Sequence, residues 1–319
     1  MESPQNIKKR LKSVSNINKI TKAMEMVAAT KMRKSQEIAL ASRPYAFAAL
    51  DFLATLSSLD RKLPKLFEVR EVKKVLFVLV SSDKGLAGAF NSSVFRKFEK
   101  HQKEYPASAK GSGVAMEEHL YLAVGEKAFN YLFKKGFSVI KKFVAVGDHT
   151  TPEQVRPLTE FLTEGYLQKK WDRVIVISTH FRSALKQEPH VRRVLPIDFD
   201  HIADTVKEII PEHGKFADLM KEHRISFVPD KLKLKEYLIE PSPEKVLENL
   251  AGHLFFVQVY HLILEANASE HSARRMAMKT ASDNASDLSE VLNLQYNKSR
   301  QSKITTEISE ISAGAEALS

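Results

Sequence analysis

The fold class predicted by the sequence is α/β: long N- and C-terminal helices paired as an antiparallel coiled coil, plus a mostly parallel, open-sheet domain of the Rossmann-like kind. Three observations carry it. From Gln5 to Arg43 there is neither glycine nor proline, so nothing stops a helix. From His253 to Ala313 there is again neither, over a run far longer than a domain of this size needs for an ordinary helix. Between the two, short β-branched runs alternate with helical patterns, the order that gives parallel strands joined by helical crossovers.

Taken in chain order, Ser3 is placed to cap the first helix, with Pro4 at its first position, where a missing N–H costs nothing. Ile7, Leu11, Val14, Ile17, Ile20, Met24 and Val27 step by threes and fours and are expected to form its buried seam. Pro44 bends this helix, with Tyr45 to Leu59 continuing it, so residues 1–60 form the N-terminal coiled-coil element.

The α/β domain is expected over 70–240. VKKVLFVLVSS, HLYLAVG, FSVIKKFVAVG and WDRVIVISTH are nearly continuous apolar runs, which suits strands buried on both faces. Helices are expected near Asn91 to Glu104, Glu126 to Lys135 and Pro152 to Lys169. PASAKGSGVA, Pro106 to Ala115, reads as a surface loop, and EPSPEK as a hinge out of the domain. The C-terminal coiled-coil helix is assigned to 243–319. Its stripes are Ala277, Ala281, Asn284, Leu288 and Val291, and further on Ile304, Ile308, Ile311, Ala315 and Leu318. Chain order makes the two helices antiparallel, with facing residue numbers summing to about 305, uncertain by about two turns. The last helix therefore outruns the first. From roughly Ser302 on it projects alone, with an apolar stripe that finds no partner in the chain.

Composition narrows the function. A hydrophobic content of 43% over 319 residues supplies a substantial core, and a formal charge of +10 favours acidic partners. The chain has no cysteine, which excludes disulfides, thiolate metal sites and a cysteine nucleophile. No apolar run approaches the roughly 18–20 residues that cross a bilayer, and MESPQNIKKR lacks a signal-peptide apolar region, so a soluble, cytosol-type protein is expected.

Each local pattern that could carry chemistry has a plainer rival. SSDKGLAGAFN, Ser81 to Asn91, follows a strand and precedes a helix, where a glycine-rich turn could cradle phosphate. Gly85 and Gly88 fit neither the dinucleotide fingerprint nor the P-loop, and a tight turn capped by Asn91 is the simpler reading. DFDHIAD, Asp198 to Asp204, gathers three aspartates around His201, yet no second ligand cluster accompanies it. No HExxH, GxSxG or other nucleophile–base spacing is present, so no catalytic, metal or cofactor site is assigned. Nucleic acid is also disfavoured as a partner. An apolar seam runs through the most basic part of the first helix, where a groove-reading region would be free of it.

KSVSNINKITKAMEMVAATKMRKSQ with ASRPYA, VSSDKGLAGAFNSS, ASEHSARRMAMKTASDNASDL and LQYNKSRQSKITTEISEISAGAEAL together resemble the gamma subunit of F-type ATP synthases, nearly end to end. The resemblance implies a central-stalk rotor subunit, itself not an enzyme. Its terminal helices would turn inside the ring of alpha and beta subunits, and its α/β domain would sit near the membrane c-ring and the epsilon subunit. The location it implies is peripheral, at the cytoplasmic face of the bacterial inner membrane. It also implies subunit-contact roles for Met24 in the first helix and for Arg300, Gln301, Thr305 and Glu307 in the last. Ala87 stands where family members often carry cysteine, and the stretch from Asp198 to about Lys235 looks longer than in short bacterial members, without the cysteine pair of the chloroplast type. A nucleotide-binding enzyme centred on Ser81 to Asn91 is the competing reading.

Overall fold

The computed structural model describes residues 3–41, 64–105, 118–147, 150–198 and 240–316. Pro44 to Leu59, Pro106 to Ala115 and nearly all of the longer stretch after Asp198 lie outside them. By internal contacts the chain divides into two compact units, one of Met1–Ala29 with Arg274–Ser319 and one of Thr30–Ala273.

The elements are helix α1 (Pro4–Ala41), a 3-10 turn (Lys65–Phe67), β1 (Lys74–Val80), α2 (Phe90–Glu104), β2 (Glu118–Val124), α3 (Glu126–Lys134), β3 (Val139–Phe143), α4 (Pro152–Leu167), β4 (Arg173–Phe181), β5 (Gln187–Leu195) and α5 (Pro243–Glu316). Ser3 caps α1 as expected: its hydroxyl accepts from the Asn6 N–H at 3.4 Å and its carbonyl from the Ile7 N–H. At the start of α4, Thr151 and Gln154 form a reciprocal capping box.

In the larger unit the sheet order is β3-β2-β1-β4-β5, parallel throughout except for antiparallel β5. The strand period of two sorts the core into two layers. Val75, Phe77 and Leu79 join Val94 and Phe98 of α2 and Ala128 and Leu132 of α3. Leu76, Val78 and Val80 join Val155, Leu158 and Leu162 of α4 and Leu254, Phe255 and Val259 of α5. Right-handed crossovers require this arrangement, because the chain builds outward from β1 to β3 and then crosses back through α4 to β4 on the far side of β1.

Two sequence expectations are corrected here. β5 was not anticipated. QEPHVRRVL mixes charge and proline because it is an edge strand, the place in a sheet where proline is tolerated. Nor does the chain leave the sheet at EPSPEK. Ser242 caps α5, with its carbonyl accepting from Val246 N–H, and the helix then packs Leu247, Ala251 and Leu254 into the sheet's core.

Candidate functional site

In an open parallel sheet, ligands enter at the carboxyl ends of the strands where strand order reverses, here between β1 and β4. The residues after β1 are occupied with bracing. Ser81 Oγ accepts from Ala128 N–H at 2.6 Å, Ser82 C=O from Lys127 N–H at 3.1 Å and Asp83 Oδ1 from Glu126 N–H at 3.0 Å. These three N–H groups open α3, so the positive end of that helix already holds a carboxylate. Asp83 Oδ2 also accepts from Ala145 N–H at 2.9 Å, joining the loop after β3. Asn91 does not cap α2, contrary to expectation. Ala89 holds the cap position without a side-chain bond, and the Asn91 amide reaches back to Ser82, accepting from its N–H at 3.0 Å and donating to its hydroxyl at 2.8 Å.

Gly125 explains why this brace is tight. Its φ is +92°, and a Cβ there would lie 2.2 Å from the Ser81 carbonyl oxygen.

α5 covers the same end of the sheet. Asn267 donates to Val146 C=O at 3.0 Å, Tyr260 Oη to Thr150 C=O at 2.9 Å, and Ser272 Oγ to Ala184 C=O at 2.7 Å. Beneath these contacts, buried His180 at the end of β4 lies 2.9 Å through Nδ1 from Oε2 of buried Glu265, and Arg192 Nη1 of β5 approaches the same oxygen at 3.9 Å. Burial would raise the Glu265 carboxyl. The His180 hydrogen bond and the charges of His180, Arg192 and His261 outweigh it and hold the group below the usual carboxylate range. Asn267 and Ser272 thus hold this part of α5 to the loops that follow β3 and β4. Among the described residues no group of three or more histidine or acidic side chains could hold a metal.

The smaller unit carries the positions inferred by resemblance. Its seam is shifted from the expected one. Ile7, Thr21 and Ala28 are buried at seven-residue spacing on α1, as are Met278, Ala285 and Leu292 on α5, while Ile17, Ile20, Val27, Leu288 and Val291 are exposed. Ser282 Oγ donates to Asn18 Oδ1 at 2.7 Å across the pair. Those two numbers sum to 300, which confirms the antiparallel pairing and lies within two turns of the expected register. Asn18 and Ser282 escaped sequence reasoning because apolar stripes were followed and the strict seven-residue spacing of Ile7, Val14, Thr21 and Ala28 was not.

On that register Ser3 is level with residue 297, and beyond it α5 has no counterpart among the described residues. Every residue from Gln301 to Ala313 is exposed, including Ile304, Ile308 and Ile311. Arg300, Gln301, Thr305 and Glu307 lie together on this stretch, all exposed. Thr305 Oγ1 donates to Gln301 C=O at 3.0 Å, and Lys303 pairs with Glu307 at 3.5 Å. Half-buried Met24 faces the region of residue 276, roughly 36 Å along α5 from Arg300, so the five positions fall in two separate regions of the smaller unit.

Comparison with known proteins follows the same lines. A family model described as ATP synthase matches residues 3–318. The ATP synthase gamma chain of Moorella thermoacetica is 36% identical over 319 residues, covering 100% of both chains. That of Chlorobaculum parvum is 35% identical over 322 residues, covering 100% of this chain and 99% of its own. A solved chain from the rotor of the Euglena gracilis mitochondrial ATP synthase shares the fold with a TM-score of 0.59 at 17% identity, covering 94% of this chain and 98% of that one.

Proposed function

The chain belongs to the ATP synthase gamma-chain family, and from that membership we propose how it acts. It is the central-stalk rotor subunit of an F-type ATP synthase and transmits torque between ion flow through the membrane rotor ring and ATP synthesis or hydrolysis in the alpha/beta ring. The chain itself is not a catalyst. The coiled coil of the terminal helices turns within the alpha and beta subunits, and the α/β domain of 70–240 meets the epsilon subunit and the c-ring. The chain binds no nucleic acid. Its place at the cytoplasmic face of the bacterial inner membrane comes through the complex, in keeping with the absence of any described helix long and apolar enough to cross a membrane.

One observation supports the reading most: the tip of α5, where a patterned isoleucine stripe stands exposed with no counterpart among the described residues. A solvated helix end has no use for branched apolar residues at heptad spacing, so the stripe calls for a seat made by other subunits. Flanking it, Arg300, Gln301, Thr305 and Glu307 offer charged and polar groups on an exposed surface. Contacts of that kind are individually weak, and a turning helix needs bonds that break at each step. Met24 adds an adaptable side chain that packs against successive neighbours without locking.

Cysteine placed at Ile308 of this cysteine-free chain tests the assignment in the assembled complex. It should crosslink to alpha or beta subunits. Crosslinking only to α1, or recovery of the tagged chain without any ATPase subunit, would overturn it.

A further inference from the structure

Each helix of the smaller unit carries two stripes that contain apolar residues, and the pair buries one of them. Inward on α1 lie Ile7, Val14, Asn18, Thr21 and Ala28, while Ile17, Ile20 and Val27 are 52%, 59% and 55% exposed. Inward on α5 lie Met278, Ser282, Ala285 and Leu292, while Leu288 and Val291 face out. Successive residues on a helix stand about 100° apart. Rolling each helix by one residue would therefore turn Ile17, Ile20 and Val27 of α1 inward toward Ala277, Ala281 and Asn284, which the register places opposite them, and Leu288 and Val291 inward toward the first turns of α1. Apolar burial alone does not choose between the two phases.

We propose that the Asn18–Ser282 hydrogen bond fixes the rotational phase of the coiled coil, holding the stripe of Ile7, Thr21, Ala28, Met278, Ala285 and Leu292 inward and Ile17, Ile20 and Val27 outward. The bond has the usual O–H···O length, 2.7 Å, and Ser282 is buried. Its neighbours make the inward phase tolerable without choosing it. Thr21 Oγ1 bonds to the carbonyls of Ile17 and Asn18 in its own helix, at 3.0 Å each, and is satisfied whatever it faces. Ser289, one heptad from Ser282, keeps a buried hydroxyl with no hydrogen-bond partner, so burying this stripe carries a cost that something must offset. Ala28 and Ala285 are too small to interlock. A single polar pair at a seam position is the established means by which a coiled coil selects one packing among near-equal alternatives, at some cost in stability. Asn18 and Ser282 are thus positioning residues, and their effect is to leave Ile17, Ile20 and Val27 outward.

The test uses the full chain with paired cysteines. Thr21→Cys with Met278→Cys reports the observed phase, and Ile17→Cys with Asn284→Cys, both outward now, reports the rolled one. In the parent the first pair should oxidise and the second should not. Asn18→Leu, and separately Ser282→Ala, should shift the ratio toward the rolled pair by about threefold to tenfold, the range one neutral hydrogen bond can supply. The melting temperature of Asn18→Leu should hold or rise, whereas loss of a merely structural contact would lower it. The exchange Asn18→Ser with Ser282→Asn should return the ratio to the parent value. An unchanged ratio in both single variants, or an exchange that fails to restore it, would overturn the proposal.

Discussion

Removal of the Glu265 carboxylate is the sharpest perturbation available in the sheet unit. Glu265→Ala leaves His180 without its partner at 2.9 Å and removes the carboxylate that Arg192 approaches at 3.9 Å, with all three side chains largely buried. Removing one partner of a buried charged contact costs about 3–5 kcal/mol, because the groups left behind lose a hydrogen-bonded carboxylate that buried surroundings do not replace with water. For a folded unit of this size each kcal/mol moves the melting temperature by roughly 2–4 °C, so a drop of about 6–20 °C is expected. Trp171 is the chain's only tryptophan and is buried against α4, where its indole donates to Leu162 C=O at 3.1 Å. Its fluorescence follows this unit without interference from the coiled coil. pH supplies the second arm. The folded Glu265 carboxyl lies below its ordinary range, so its contribution is complete at neutral pH and is lost as pH falls through the ordinary value toward the folded one. Glu265→Gln should accordingly lie below the parent at neutral pH and converge on it in acid. A Glu265→Ala melting point within about 3 °C of the parent, or a Gln variant parallel to the parent at every pH, would refute the argument that this pair holds α5 on the sheet.

Gly125→Ala combines a left-handed φ with a backbone clash and should cost about 2–5 kcal/mol, measured as a urea midpoint by Trp171 fluorescence. Gly165→Ala, whose Cβ would lie 1.9 Å from Trp171 Cζ2, should also destabilise, and its tryptophan emission should shift to the red; Gly85→Ala, with nothing within 4 Å, should do neither. Arg300→Ala with Gln301→Ala, both exposed, should leave assembly and melting unchanged while lowering ATP-driven ion pumping in membrane vesicles. Despite the net charge of +10, duplex DNA should bind weakly and without sequence preference at physiological salt in a gel shift.

How far the sequence could be read depended on whether each residue's surroundings lie within its own segment. β1, β2 and β4 were legible because strands buried on both faces are written as continuous apolar runs, and Ser3 because a cap acts on its own helix. β5 was not. An edge strand takes its definition from β4, and nothing in QEPHVRRVL announces that neighbour. The SSDK turn showed its place but not its task, since Asp83 and Ser81 bond to residues some 43 to 62 positions away. The seam failed in a more instructive way. Periodicity located a helical stripe correctly in Ile17, Ile20, Met24 and Val27, then assigned it to the wrong neighbour. Hydrophobic patterning records every surface that is dry in the working state, whether the covering atoms come from this chain or another. In a chain that works within a complex, an apolar stripe can belong to the partners, and the helix pair closes on another: Ile7, Thr21, Ala28, Met278, Ala285 and Leu292, with the Asn18–Ser282 hydrogen bond. On α5, Leu288, Val291, Ile304, Ile308 and Ile311 follow the same rule, exposed in the chain and patterned all the same. For this family the outward stripe is therefore where variants should disturb coupling before folding, and the inward stripe is where they should disturb the phase of the helices first.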